Sequence, residues 1–339
     1  LIGERYARQQ LFKPIGEKGQ AQLQEAHVLL IGAGALGTSS SEQLVRAGVG
    51  KITIIDRDYV EVSNLQRQQL FTEKDVEERI PKAIATKQRL QEINSGIDIT
   101  AIVEDVQIEE IERYSNGVDL IIDGTDNFET RMLINDFAQK YRIPWIYGGC
   151  VGSNGMSYTI IPGKTPCLSC LLSSVPMGGA TCDTVGVISP AVQMVTSHQV
   201  TEALKILVSD ETSLRKGLMI FDLWKNDYSI IKTDRIQKND CFSCGEAPSY
   251  PYLSGEKMTK TAVLCGRDTV QIRPGIKEKR DLEKLKKLLP KGEIKENPFL
   301  LSFKSPEYRM VFFRDGRVLI HGTKDIKEAK SIYHKIVGG

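Results

Sequence analysis

The sequence predicts an α/β protein: a doubly wound, mostly parallel sheet followed by a small α+β module. Three observations carry this. Apolar runs of strand length at 28–31, 52–55 and 118–122 alternate with segments of helical period, as repeated strand-helix-strand units require. Gly32, Gly34 and Gly37 stand between the first of these runs and a helical stretch at 36–47. After Cys244 the composition shifts through Ala247-Pro-Ser-Tyr-Pro-Tyr to a piece of about eighty residues with its own hairpin and helix signals.

The chain opens with Glu4-Arg-Tyr-Ala-Arg8-Gln-Gln-Leu-Phe12, a charged arm by composition, and a short helix-like stretch at 17–25. The strand at 28–31 ends at Gly32, and G-x-G-x-x-G follows directly before the helix. Such glycines permit a tight turn and let backbone N–H groups approach a phosphate, which a helix N-terminus attracts. The strand at 52–55 ends in Asp56, an acid placed to accept hydrogen bonds from ribose hydroxyls. This is a Rossmann-like start, and these residues alone suit an NAD- or FAD-dependent oxidoreductase as well as an ATP enzyme. The next segment favours the second. Asp58, Asn64, Gln66 and Arg67 lie just beyond the carboxyl edge of the second strand, where Asn64 and Arg67 can reach a triphosphate.

Pro81 precedes a helical run in which Ala83, Leu90 and Ile93 form one stripe and Lys82 sits in the first turn. Residues 97–103 alternate like a strand. The strand at 118–122 runs into Asp123-Gly-Thr-Asp-Asn, and Asp126 begins a helical stretch through 141. Asp126 reads either as an N-cap or as a carboxylate at the sheet's carboxyl edge, able to hold Mg²⁺ on phosphates. Further strands are expected at 144–148 and 155–161, and a helix at 191–208.

Cys167-Leu-Ser-Cys170 and Cys241-Phe-Ser-Cys244 form two C-x₂-C pairs about seventy residues apart. Two identical pairs predict a tetrahedral Cys₄ zinc site, and a closed thiolate shell makes that metal structural. A thioredoxin-like redox motif is the rival, but neither pair opens a helix in such a unit. Cys182 stands alone in a glycine-rich stretch without a basic neighbour to activate it. Cys150 and Cys265 are expected to be packed thiols.

The net charge of +2, with 26% charged and 41% hydrophobic residues, describes an ordinary globular chain and gives no electrostatic reason to expect nucleic acid or a membrane as partner. No apolar run approaches the ~18 residues of a membrane span, and no signal-peptide pattern opens the sequence, so a cytoplasmic protein is expected.

Several of these motifs, over residues 4–247, resemble the ThiF/MoeB (HesA/MoeB/ThiF) family, bacterial relatives of ubiquitin-activating enzymes. They are Arg5-Tyr-Ala-Arg8-Gln, the glycine turn, Asp56, Ser63-Asn-Leu-Gln-Arg67-Gln, Pro81-Lys82 and Asp123-Gly-Thr-Asp-Asn127. Arg79-Ile80 stands before the Pro-Lys pair where the family carries a small residue. The resemblance implies adenylylation, from ATP, of the C-terminal glycine of a ubiquitin-like sulfur-carrier protein (ThiS- or MoaD-like), for thiamine or molybdenum cofactor biosynthesis. It places phosphate contacts on Arg67 and Lys82, the Mg²⁺-binding aspartate on Asp126, and zinc on Cys167, Cys170, Cys241 and Cys244. Arg8 would reach the triphosphate of a neighbouring subunit, which implies a homodimer. Cys182 becomes a candidate for sulfur transfer, with a cysteine desulfurase as sulfur donor. A relative that adenylates a non-protein carboxylate, of the tRNA-modifying dehydratase type, is the alternative within the family.

The expected domains are 1–247, a linker at 248–258 and the module at 259–339. In the module, strands are expected at 269–272, 308–313 and 317–320, and helices at 282–289 and 325–337. Ile326, Ala329, Ile332, Tyr333 and Ile336 would form the apolar face of the last helix. The module lacks the internal cysteine of a rhodanese domain. Gly338-Gly339 echoes a sulfur-carrier tail, but it follows a helix, which glycine ordinarily ends.

Overall fold

A computed structural model describes residues 2–174, 185–256, 261–264, 268–273, 279–290 and 292–337. Contacts divide the chain into two units, Leu1–Lys257 and Met258–Gly339.

The first unit is built on an eight-stranded sheet: β1 (His27–Ile31), β2 (Lys51–Ile55), β3 (Asp98–Ile102), β4 (Leu120–Asp123), β5 (Trp145–Val151), β6 (Asn154–Ile160), β7 (Leu218–Asp222) and β8 (Asp227–Ile231). The spatial order is β3-β2-β1-β4-β5-β6-β7-β8. The pairs from β3 to β5 are parallel, while β5–β6, β6–β7 and β7–β8 are antiparallel. Every residue of β1 is buried, as expected of a parallel strand covered on both faces. Leu30, Ile52, Ile54, Leu120 and Ile122 pack in one core with Leu44 and Val45 of the Ala35–Ala47 helix and with Ala83 and Leu90 of the Lys82–Ile93 helix. Strand order reverses direction between β1 and β4, and open α/β sheets bind ligands outside the carboxyl ends at such a point.

The second unit is a six-stranded antiparallel sheet of β9 (Thr261–Leu264), β10 (Thr269–Ile272), β11 (Glu293–Glu296), β12 (Leu300–Lys304), β13 (Arg309–Phe313) and β14 (Val318–His321), in the order β11-β12-β13-β14-β10-β9. Helices Leu282–Leu288 and Ile326–Val337 pack on one face. The second of these applies Ala329, Ile326, Ile332, Tyr333 and Ile336 to a core of Val270, Leu301, Phe303, Met310, Phe312 and Ile320.

The α/β class, the parallel half and the separate small module thus agree with the sequence. Five strands were not foreseen: β7, β8, β9, β11 and β12. Each is only four or five residues long and carries no clean alternation; all but the last residue of β8, for example, are exposed.

Candidate functional site

The carboxyl ends of β1, β2 and β4 meet at the switch point. The Gly32 N–H donates to Ile55 O at 2.8 Å, and the Gly124 N–H to Ile31 O at 2.8 Å. A Cβ on Gly32, at φ 95°, would stand 2.6 Å from Gly124 O, and one on Gly37 would stand 1.9 Å from Gly32 O. These two glycines are demanded by the packing of the turn. Gly34 is different: a Cβ there would meet nothing closer than 3.9 Å. The fold leaves open space at the N-cap of the Ala35–Ala47 helix, a cradle for an anionic group.

Asp56 grips this turn. Its carboxylate accepts the Ala33 N–H at 2.6 Å and the Asp58 N–H at 2.6 Å. Burial pushes its pKa up, against the pull of Lys82. Asn64 ends the Val62–Asn64 turn, is 2% exposed, and uses its side-chain carbonyl to accept the Glu61 N–H at 3.0 Å. Arg67 is partly exposed and bonds Ser63 O at 2.8 Å. Lys82 is 5% exposed and pairs with Asp58 at 3.2 Å. Arg79, preceding it, adopts a left-handed φ of 51°. Lys82 is nonetheless anchored, since its N–H also donates to Asp58 O at 2.8 Å.

Asp126 is exposed. The N-cap explanation for it fails, because the cap of the Phe128–Tyr141 helix is Asn127, whose side chain accepts the Thr130 N–H at 3.1 Å. The carboxylate of Asp126 therefore serves no capping purpose. Its charge is felt by two half-buried guanidinium groups, Arg57 and Arg131; for each, desolvation opposes the charge and neighbouring acids, Asp105 and Asp123 foremost, raise the pKa. Sequence reasoning missed both arginines. Arg57 pairs with Asp105 at 3.0 Å. Arg131 donates to Asp123 at 2.8 Å, to Thr125 O at 2.6 Å and to Gly148 O at 2.9 Å, clamping the turn that carries Asp126 to β5. An arginine in a first helical turn carries no local sign of such a task.

The four cysteines of the two C-x₂-C pairs come together, with sulfur atoms all within 4.8 Å of one another. Cys167 and Cys241 lie 3.6 Å apart, as do Cys170 and Cys244. Hydrogen bonding among the four thiols pulls Cys241 and Cys170 below the ordinary thiol range and pushes Cys167 and Cys244 above it, so the four share their protons. The cluster is able to hold a metal ion. Cys150 is partly buried. Arg8 is exposed in the Ala7–Gln10 helix. Cys182, Cys265, Gly338 and Gly339 lie outside the described residues.

These features define a class: an α/β domain with a Rossmann-like glycine turn, charged residues at the carboxyl edge of its sheet and a separate four-cysteine cluster. The chain belongs to the ThiF family, whose model matches residues 6–243. It is 54% identical over 336 residues to the sulfur carrier protein ThiS adenylyltransferase of Bacillus subtilis (strain 168), covering 98% of this chain and 99% of the relative. It is 34% identical over 248 residues to the sulfur carrier protein ThiS adenylyltransferase of Escherichia coli (strain K12), covering 73% of this chain and 97% of that one. Among solved structures, Escherichia coli MccB with MccA-N7isoASN aligns at a TM-score of 0.63 and 22% identity over 72% of this chain and 76% of that one, a likeness of fold. Among the described residues no helix is long and apolar enough to cross a membrane.

Proposed function

We propose that the chain is an adenylyltransferase that uses ATP to activate the C-terminal glycine of a ubiquitin-like sulfur-carrier protein, ThiS-like by the name of its 54% identical relative. A MoaD-like carrier and molybdenum cofactor synthesis remain the alternative within the same chemistry. The observation that carries this reading is the convergence at one sheet edge of an open glycine turn, buried Lys82 and an aspartate that caps nothing.

The carrier carboxylate attacks the α-phosphorus of ATP, the bond to the β-phosphate oxygen breaks, and pyrophosphate leaves with that oxygen. This reaction asks the protein for alignment and charge neutralisation rather than covalent chemistry. Gly34 gives the phosphates room, and Gly32 and Gly37 set the turn. Asp56 holds the turn and offers its remaining lone pairs to the ribose. The amide nitrogen of Asn64 donates to phosphate, its carbonyl oxygen being used by Glu61. Lys82 and Arg67 supply cations. Asp126 would hold Mg²⁺, which when bound neutralises phosphate charge. Arg8 would act in the cleft of a second copy, making the enzyme a homodimer.

The cysteine cluster fits zinc, since tetrahedral thiolates at about 2.3 Å from the metal stand about 3.8 Å apart, close to the 3.6 Å found for two of the pairs. Its role is structural. Cys182 serves sulfur delivery rather than adenylation, with a cysteine desulfurase as donor, in the cytoplasm. Residues 1–247 carry the adenylation chemistry, 248–258 link, and 259–339 form a module of separate role.

Pyrophosphate exchange with MgATP and each candidate carrier in turn tests the proposal. Exchange with a ThiS-like carrier alone is the expected result. Tight NAD or FAD with no carrier-dependent ATP turnover would replace it with the oxidoreductase reading, and exchange with an RNA or small carboxylate with the dehydratase-type reading.

A further inference from the structure

The Phe128–Tyr141 helix holds a buried acid for which adenylation has no use. Asp136 is 0% exposed and has no ion-pair partner among the described residues. A carboxylate so placed is costly unless donors surround it. Two donors come from distant parts of the chain: the Ser243 hydroxyl at 2.5 Å to one oxygen and the Tyr252 N–H at 2.9 Å to the other.

Ser243 is the inner residue of Cys241-Phe-Ser-Cys244, and Ser169 holds the same place in Cys167-Leu-Ser-Cys170. Their hydroxyl oxygens lie 3.1 Å apart. Asn135, next to Asp136, accepts the Leu168 N–H at 2.8 Å and directs its amide nitrogen to the Ser169 hydroxyl at 3.4 Å. The Ser243 hydroxyl donates to Asp136; burial raises the pKa of this carboxyl, and the bonds from Ser243 and the Tyr252 N–H pull it back toward the ionised form. Ser243 has no second proton, so Ser169 donates to Ser243. Asn135 in turn donates to Ser169. Four side chains, all at most 8% exposed, form one directed run of hydrogen bonds from Asn135 through Ser169 and Ser243 to the carboxylate, and polarisation along such a run strengthens each bond.

We propose that this run is the outer support of the metal centre: Asp136 and Asn135 are positioning residues that fix the two C-x-S-C turns against each other and so converge the four thiols. This rests on the metal reading of the cluster given above. The two adjacent residues of one helix hold one turn each, and the serines lock the turns together.

The test uses the full chain purified with its metal. Metal content is measured first by elemental analysis; zinc release to a chromogenic chelator is then followed in the wild type, Asp136→Asn, Ser243→Ala and the double variant. About one zinc per wild-type chain is expected, and a chain purified without metal would overturn the metal reading itself. Release should be about 10–100-fold faster in each single variant, the usual cost of losing support behind a metal ligand. The double variant should be no worse than the poorer single, because the residues act as one run. Wild-type release rates in both single variants of a zinc-loaded chain would overturn the proposal while leaving the metal reading intact. Ser243→Ala keeps the test available should Asp136→Asn not fold, since it removes one hydroxyl and leaves the Tyr252 bond in place.

Discussion

At the carboxyl ends of β1, β2 and β4 the side chains are charged and set against one another: Lys82 on Asp58, Arg57 on Asp105, Arg131 on Asp123. Around the four cysteines they are small, mostly neutral and buried, and the bonds join segments more than thirty residues apart in sequence. In the first region Asp126 is exposed and Arg67 partly exposed. The cluster is closed, and its polar atoms are turned inward on the protein. Damage to the first should therefore remove chemistry without unfolding the chain, and damage to the second should loosen the chain without entering the chemistry.

The sharpest way to break this contrast is Asp126→Ala. Carrier-dependent pyrophosphate exchange should fall by about 10³-fold or more, the scale of removing a principal electrostatic partner of the reacting phosphates, with the melting temperature little changed because Asn127 does the capping. Retained exchange would end the Mg²⁺ role of Asp126. Arg131→Lys tests the framework of the first region. It keeps a charge but cannot reach Asp123 and two carbonyls at once, so a loss of about 1–2 kcal/mol is expected, read as a lower denaturant midpoint together with weakened exchange. An unchanged midpoint would mean the clamp is ornamental.

Cys244→Ser should lower the melting temperature by about 10 °C, because loss of a metal site is among the few causes of effects above ~4 kcal/mol and each kcal/mol moves a domain of this size ~2–4 °C. Exchange per folded molecule should fall by less than tenfold. A dead but fully stable variant would place the cluster in the chemistry. Cys182→Ala should leave exchange unchanged and stop sulfur delivery alone.

The smallest effect expected is that of His27, at the opposite end of β1 from the glycine turn. Its Nδ1 faces the Gly117 carbonyl and therefore carries the proton, so Nε2 accepts from Thr53 at 2.9 Å. Burial, chiefly, lowers its pKa from 6.5. The unfolded chain then binds a proton that the folded chain refuses, so stability present above pH 6.5 is lost as pH falls through the folded value. His27→Gln should flatten denaturation midpoints measured between pH 7 and 5; an unaltered slope would show that other groups set it.

Much of this contrast was legible in the sequence, but unevenly. The glycine turn, the acid at the end of β2 and the two cysteine pairs are local patterns whose spacing implies their geometry. The antiparallel turn of the sheet was less visible: only Gly152 and Ser153 separate β5 from β6, too few for a parallel crossover, yet both segments are apolar enough to read as ordinary central strands. Arg131 and Asp136 were invisible. Each lies on a helix of good pattern, and each acquires its meaning from partners brought by folding, 107 positions away in the case of Ser243 and Asp136.

That last separation has a consequence for synthesis. The helix behind Asp126 is made early, but two of its supports, Ser243 and the Tyr252 N–H, emerge from the ribosome more than a hundred residues later. A growing chain that already holds the glycine turn, Lys82 and Asp126 still lacks the bonds that hold Asp136, so this helix is locked in place only when the first unit is nearly whole.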